Sequence, residues 1–483
     1  MQLECPIPFT ARVSLLEGPA GFLALPMKRR LRYIFLVVLA AAIALALHSQ
    51  RGLLKVGSGW VAKRACSGIF VAGRSRASLD ELALPLPLPV SIEVSRDAKN
   101  PGVTARVGGL FAPSSARYRA ELGCVLEESG AVPQPLDALP DGRLSPVAPR
   151  KQLRTGAAPA ALQRVVESAF VRTPEQEAAG YGTRAVVILR DGEVVGERYA
   201  EGFSARTPLE GWSMAKSVTG TLVGILVDAG RIDVHTPVGL AAWSEPEDPR
   251  RAITWDHLLR MSSGLLFTEN YRLPSENAIQ MLFGAGRLAK GAYAAGLPLE
   301  HEVDTHWSYS SGTTNLLHYA LLERVFGGDV GAYLDFPRHA LFARLGMSSA
   351  VMEPDASGVY VGSSFLFATA RDWARFGQLY LNDGVFEGER VLSSEWVRYS
   401  GTPTNAEGSY GAHWWLNADP VDRPRRWPGV DANVLIASGF EGQGVVVVPE
   451  SGLVVVRLGY DGANRLDMGD FVERIVGSFS DAL

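Results

Sequence analysis

Strand-like segments lie at both ends of the main part of this chain, with helical sequence between them. Arg184–Arg190 and Glu193–Tyr199 are rich in β-branched and aromatic residues and flank Asp191-Gly192. That dipeptide is a hairpin signal, because glycine accepts the positive φ that a type I′ turn requires. Far downstream, Asn433–Ala437, Val445–Val448 and Leu453–Leu458 read as further strands, followed by an amphipathic helix from Met468. Residues 250–400 are helical or mixed, and there is no internal repeat. This arrangement predicts an α/β (α+β) fold: one antiparallel sheet assembled from both ends of the chain, flanked by helices, with a helical subdomain covering one side.

The N-terminal region has a different pattern. Lys28, Arg29, Arg30 and Arg32 precede an uncharged run from Tyr33 to Leu47, and His48 to Arg51 restores polarity. This is the order of a secretory signal peptide or signal-anchor. The run is short beside the roughly 17–25 residues of a spanning helix. Ala44-Leu45-Ala46 offers a small-x-small cleavage site inside the run. A buried core helix is the alternative reading, disfavoured by the basic flank. Residues 27–47 are therefore expected to direct export, leaving the remainder on the periplasmic side of the inner membrane, anchored or secreted after cleavage. Residues 1–26 lack periodicity and read as a disordered leader or start-site artefact, with Met27 as the natural start.

The split sharpens the charge balance. The whole chain carries 47 basic and 51 acidic residues, a net −4; without residues 1–47 it carries 42 and 49, a net −7. An acidic body has no field with which to hold nucleic acid. Of the three cysteines, Cys5 lies in the leader, whereas Cys66 and Cys124 lie in the exported part. A disulfide persists in that compartment, so these two are expected to pair; two unconnected buried thiols are the alternative. Residues 48–150 read as a β-rich extension, with strands at Ser91–Val94, Val103–Phe111 and Arg117–Val125. The proline-rich stretch Val132–Pro149 then leads into a main domain over 151–483.

Three segments carry chemistry. In Gly211-Trp212-Ser213-Met214-Ala215-Lys216-Ser217, Ser213 and Lys216 are one turn apart at the start of a helix whose apolar positions are Val218, Leu222, Ile225 and Leu226 and whose stop is Gly230. A serine hydroxyl needs a base within hydrogen-bond reach to act as a nucleophile, and a lysine amine can serve. By itself the spacing is weak, since a surface serine and lysine on an amphipathic helix share it. The second segment, His306-Trp307-Ser308-Tyr309-Ser310-Ser311-Gly312, is dense in hydroxyls. Tyr309 could relay a proton and Ser311 could orient Lys216. The third, Ala437-Ser438-Gly439-Phe440-Glu441-Gly442-Gln443, ends one strand and turns into the next. The backbone N–H groups of Phe440 and Ser213 could form an oxyanion hole there.

Together these segments resemble the serine β-lactamase / penicillin-binding-protein superfamily, in which SxxK, YxS or YxN and a [K/H]TG-like strand follow in this order. The resemblance covers roughly residues 180–475. It extends to Ile253–Leu265, similar to the family's SGL segment, and to Ala370–Gly377. The Ser-Met-Ala-Lys-Ser and Tyr-Ser-Ser forms, with Tyr410–Trp415, are most similar to the 6-aminohexanoate-dimer hydrolase and esterase branch. The upstream Ala65–Val71 and Gly123-Cys124 resemble the extension of exported members of that branch.

The resemblance implies Ser213 as the acylated nucleophile, Lys216 as its activating partner and Tyr309 as general acid/base. Ser311, Ser438, Gly439 and Phe440 are supporting or oxyanion candidates. Ala437-Ser438 stands where β-lactamases carry a cation and a hydroxyl, and Ser311 replaces an asparagine usual in class C. Both departures favour a small amide or ester over a carboxylate-bearing β-lactam or peptidoglycan stem. A penicillin-binding, D-alanyl-D-alanine carboxypeptidase or β-lactamase role is the alternative; a non-catalytic tethered binding protein is the second. Trp212, Trp307, Trp414 and Trp415 are candidate pocket walls, with core packing the blander reading of each.

No cofactor or metal is expected. His301-Glu302 and His306 mimic a zinc motif, but five-residue spacing puts the two imidazoles on diverging faces of a helix. No GxSxG elbow occurs, and His257 and His413 read as structural or pocket-lining. The partner is a small-molecule substrate, and membrane contact is confined to the N-terminal apolar segment.

Overall fold

The computed structural model describes residues 26–480, apart from 77, 80–88, 98, 129–134, 139–143, 149–152, 272, 405–407, 420–423 and 463–464. The proposed leader, save Pro26, and half of the proline-rich connection lie outside the described residues. The chain divides into two units, Met1–Gly52 and Leu53–Leu483. In the first, the basic-then-apolar segment forms helix α1 (Met27–Ser49). Among the described residues no helix is long and apolar enough to cross a membrane, so a spanning anchor finds no support there.

Residues 48–150 are not uniformly β-rich, because Arg51–Phe70 is helix α2. Its pattern hides a helix for a physical reason. Gly57, Gly59 and Gly68 lower propensity, and polar Ser58, Lys63, Arg64 and Ser67 are buried beside apolar Val56, Ala62, Ala65 and Ile69. No polar stripe therefore marks a solvent face. The strands that follow form an antiparallel meander: β1 (Val90–Ser95), β2 (Gly102–Val107), β3 (Phe111–Arg119) and β4 (Gly123–Glu127). The expected strand Val103–Phe111 is broken after Val107 by Gly108-Gly109, both at positive φ. The expected strand Arg117–Val125 is likewise broken by a turn before Gly123. Cys66 on α2 and Cys124 on β4 are disulfide-bonded, with Cα atoms 6.0 Å apart.

Helix α3 (Ala160–Ser168) precedes the central sheet, whose first strands are β5 (Gly182–Arg190) and β6 (Glu193–Tyr199). Arg190 pairs with Glu193, and the turn between them has Asp191 at φ 50° and Gly192 at 81°, the two positive values of a type I′ hairpin. From the other end of the chain come β7 (Trp415–Leu416), β8 (Leu435–Gly439), β9 (Gln443–Val448) and β10 (Leu453–Tyr460). The sheet order is β7-β8-β9-β10-β5-β6, and all its pairs are antiparallel. The two ends of the chain meet where β10 pairs with β5, Val456 opposite Val187.

Both faces of this sheet are buried, which is why its strands read as continuous apolar runs. Val187, Leu189, Val445, Val447, Val454 and Val456 point into the main core with helices α4 (Met214–Asp228) and α6 (Ala370–Leu381). Val186, Ile188, Val446, Val448 and Val455 pack against α3 and the final helix α7 (Met468–Ser480) through Leu162, Val166, Phe471 and Ile475. Between β6 and β7 most of the regular structure is helical, including α5 (Ser311–Ala320), with short strands of two small sheets among the helices.

Candidate active site

Ser213 sits at the N-terminus of α4 behind a sharp turn. Trp212 before it has φ 48°, a left-handed conformation that costs a non-glycine residue about 1–3 kcal/mol and needs surrounding structure to hold it. Lys216, one turn along and 1% exposed, places Nζ 3.1 Å from Ser213 Oγ, 3.0 Å from Ser311 Oγ and 3.1 Å from the Ser363 carbonyl oxygen. Three hydrogen-bond partners match the tetrahedral directions of a lysine amine, so the amine is fixed in direction. Its Nζ also lies 4.8 Å from the centre of the Tyr309 ring.

Tyr309 and Ser311 come from the start of α5, where the Ser310 hydroxyl accepts a bond from the Thr313 N–H and caps the helix. Tyr309 stacks on Trp415 at 5.1 Å and meets Tyr410 edge-on at 5.8 Å. Trp307 packs edge-on against Tyr410 and Trp415. These two tryptophans therefore stand beside Tyr309, as candidate pocket walls require. Trp414 does not. It is fully buried and stacks on Phe376 in the main core, one residue ahead of β7, whereas Trp415 packs against the cluster on the other face of the sheet. Trp212 is 3% exposed and stacks on Trp60 of α2, and it lines a cavity on the extension side together with Arg64, Glu210 and Glu441.

The third segment closes on the nucleophile. Ser438 and Gly439, both half-buried, end β8. A Cβ at Gly439 would fall 2.2 Å from the Gly211 carbonyl oxygen, so only glycine permits this strand to run against the turn that presents Ser213. Phe440 lies between Trp212, met edge-on at 5.5 Å, and Tyr271, stacked at 5.6 Å.

Sequence reasoning missed one acidic group here. Glu269 Oε1 accepts from the Ser311 hydroxyl at 2.6 Å, and Oε2 accepts from the Ser311 N–H at 2.7 Å. The Tyr271 hydroxyl donates to the same carboxylate at 2.6 Å. Burial, then the neighbouring carboxylate, pushes the Tyr271 phenol well above its usual range. Glu269 therefore orients Ser311, which in turn holds Lys216. Glu269 follows Ile253–Leu265 by four residues, in a loop with no motif of its own.

The histidines lie elsewhere. His257 completes a capping box with Thr254. His413 contacts the Leu259 carbonyl and the Thr314 hydroxyl, and His318 contacts Thr219 and Tyr333. Burial pushes both imidazoles down to about 3, so they are neutral at physiological pH. Their side-chain NMR resonances should stay flat from pH 8 to 4, whereas an exposed imidazole titrates near 6.5. The linked stability follows in sign: below pH 6.5 the unfolded chain binds protons that these native rings refuse, so their contribution shrinks as pH falls towards 3. Titration of either ring near 6.5 would contradict this. The His301 and His306 rings are stacked 4.0 Å apart, and among the described residues no group of three or more His, Cys, Asp or Glu could hold a metal ion.

A sheet built from both chain ends, a helical region and a serine-lysine pair at a buried helix start define a class of serine-hydrolase-like fold. Residues 170–463 match the Beta-lactamase family model, and the chain belongs to that family. It is 28% identical over 345 residues to the 6-aminohexanoate-dimer hydrolase of Paenarthrobacter ureafaciens, covering 66% of this chain and 83% of that protein. Among solved structures, a candidate 6-aminohexanoate-dimer hydrolase from Bacillus anthracis superposes with a TM-score of 0.54 at 20% identity, over 70% of this chain and 90% of that one. EstA from Arthrobacter nitroguajacolicus Rue61a superposes with a TM-score of 0.50 at 15% identity, over 68% and 100%. At those identities the structures establish the fold, and they bear out the β-lactamase-like architecture expected from the sequence.

Proposed function

We propose that this protein hydrolyses a small amide or ester through an acyl-enzyme on Ser213. The observation that carries the reading is the 3.1 Å approach of Lys216 Nζ to Ser213 Oγ inside a buried, fully directed hydrogen-bond set. In the first step, the Lys216 amine in its neutral form takes the Ser213 hydroxyl proton as Oγ attacks the substrate carbonyl carbon. The carbonyl oxygen becomes an oxyanion at the Phe440 and Ser213 N–H groups. Collapse breaks the bond to the leaving amine or alcohol, which takes the proton by way of Tyr309. Water then attacks the acyl-serine, and Ser213 is regenerated with release of the acid.

The substrate reading rests on β8. Ala437 there is buried and Ser438 is neutral, so this strand offers no cation to a substrate carboxylate. The name of the Paenarthrobacter relative agrees with a linear amide. The disulfide between Cys66 and Cys124 supports residence in an oxidising compartment, in line with an export role for residues 27–47. A fluorophosphonate probe followed by peptide mass spectrometry should place a single adduct on Ser213. A panel of acyl esters, short linear amides and D-Ala-D-Ala peptides should show turnover of the first two. Turnover restricted to D-Ala-D-Ala, with lasting penicillin labelling of Ser213, would favour the penicillin-binding alternative instead.

A further inference from the structure

We propose that Arg64, in the N-terminal extension and outside the segment that matches the family, is a positioning residue for the active site. It acts by locking the turn before Ser213 to the turn after Gly439. Arg64 projects from α2 and is 8% exposed. Its two terminal nitrogens bind the Glu441 carboxylate in a fork, Nη1 to Oε1 at 2.9 Å and Nη2 to Oε2 at 3.0 Å. Glu441 Oε2 also accepts the indole N–H of Trp212 at 3.2 Å. The guanidinium lies over the Trp212 ring at 5.2 Å and the Trp60 ring at 5.1 Å, and its Nε is 3.8 Å from Glu210.

The two residues joined through this carboxylate are the two that need holding. Trp212 immediately precedes Ser213 and Glu441 immediately follows Phe440, and both are non-glycine residues at positive φ, 48° and 63°. One buried carboxylate thus ties the nucleophile's turn to the oxyanion strand. A buried carboxylate keeps its charge only when paired and hydrogen-bonded, and the planar guanidinium fork supplies both. Without Arg64, Glu441 is left as a buried acid close to Glu210, and the grip on Trp212 loosens. Arg64 touches no reacting atom, so its effect must pass through the geometry of Ser213 and Phe440.

Lys63, its neighbour on the same helix, is the natural control. Its ammonium pairs with buried Glu353, and that carboxylate also binds the Ser67 hydroxyl and the Cys124 N–H. This pair fastens the extension to the body, is buried more deeply than the Arg64–Glu441 pair, and among the described residues has no hydrogen bond to either catalytic turn. The proposal rests on Ser213 being the nucleophile. Arg64→Met, Arg64→Lys and Lys63→Met should be compared in full-length protein with p-nitrophenyl butyrate, kcat being normalised to fluorophosphonate-titrated Ser213. Arg64→Met should lose at least tenfold in kcat with KM within threefold, and Arg64→Lys should recover part of that loss. Lys63→Met should lower the melting temperature while keeping kcat within threefold.

Unchanged kcat in Arg64→Met, or a parallel loss in Lys63→Met, would overturn the proposal. If Arg64→Met fails to fold, Arg64→Lys decides, since a kcat within wild-type error in that variant would also overturn it. Ser213→Ala in the same assay separates the two levels. Persistent turnover there removes the nucleophile reading, whereas a dead Ser213→Ala beside an unaffected Arg64→Met removes only the role of Arg64.

Discussion

Ser213→Ala should lower kcat for an ester such as p-nitrophenyl butyrate by about 10⁴–10⁶, as when a nucleophile that acts as a unit with its base is deleted. The methyl side chain keeps helix α4 intact. Ser213 makes no side-chain cap, so its loss leaves no helix donor newly bare. The Ser213 N–H and the Phe440 N–H remain, and residual rate above water would come from those donors. Lys216 keeps Ser311 and the Ser363 carbonyl as acceptors, so the melting temperature should move little. The variant therefore separates chemistry from folding. Turnover within tenfold of wild type, in protein shown to be folded, would end the acyl-enzyme reading.

The sheet was legible because its strands are long, apolar and closed by a turn with only one good solution. Asp191-Gly192 fixes the β5–β6 register, and the valine-rich strands at the far end could be buried only as one sheet with them. The start of α4 was legible for a similar reason: an SxxK spacing followed by apolar residues at helical period. Helix α2 was not. Its buried face includes Lys63 and Arg64, whose partners Glu353 and Glu441 lie nearly three hundred residues or more away. No local pattern encodes such a pair, so the helix was absorbed into the β-rich reading of residues 48–150. Glu269 escaped for the same reason. Its partner Ser311 is 42 residues away, and a lone glutamate in a loop carries no spacing signal. Trp414 and Trp415 show the limit from the other side. Both were legible as aromatic, but only the register of β7 decides which one meets Tyr309 and which enters the core.

Lys216 offers a sharper test of mechanism than deletion alone. Lys216→Ala should cost about 10²–10⁴ in kcat, the range for loss of an acid/base partner, because among the described residues no other amine is hydrogen-bonded to Ser213 Oγ. Lys216→Arg distinguishes why. A guanidinium retains the positive charge and can still donate to Ser311 and the Ser363 carbonyl, but it does not deprotonate in proteins. If Lys216 moves a proton, Arg should be as damaging as Ala; if it serves only as a fixed charge, Arg should restore most of the rate. We expect the first outcome. Tyr309→Phe completes the comparison. It keeps the ring stacked on Trp415 at 5.1 Å and beneath Lys216 Nζ, and it removes only the hydroxyl. A loss of about 10²–10⁴ with an unchanged melting temperature would assign that hydroxyl to proton transfer. A loss below tenfold in both Lys216→Ala and Tyr309→Phe would mean that Ser213 is activated by other groups. Glu269 would then be the next to test, through Glu269→Gln, since it reaches Lys216 by way of Ser311.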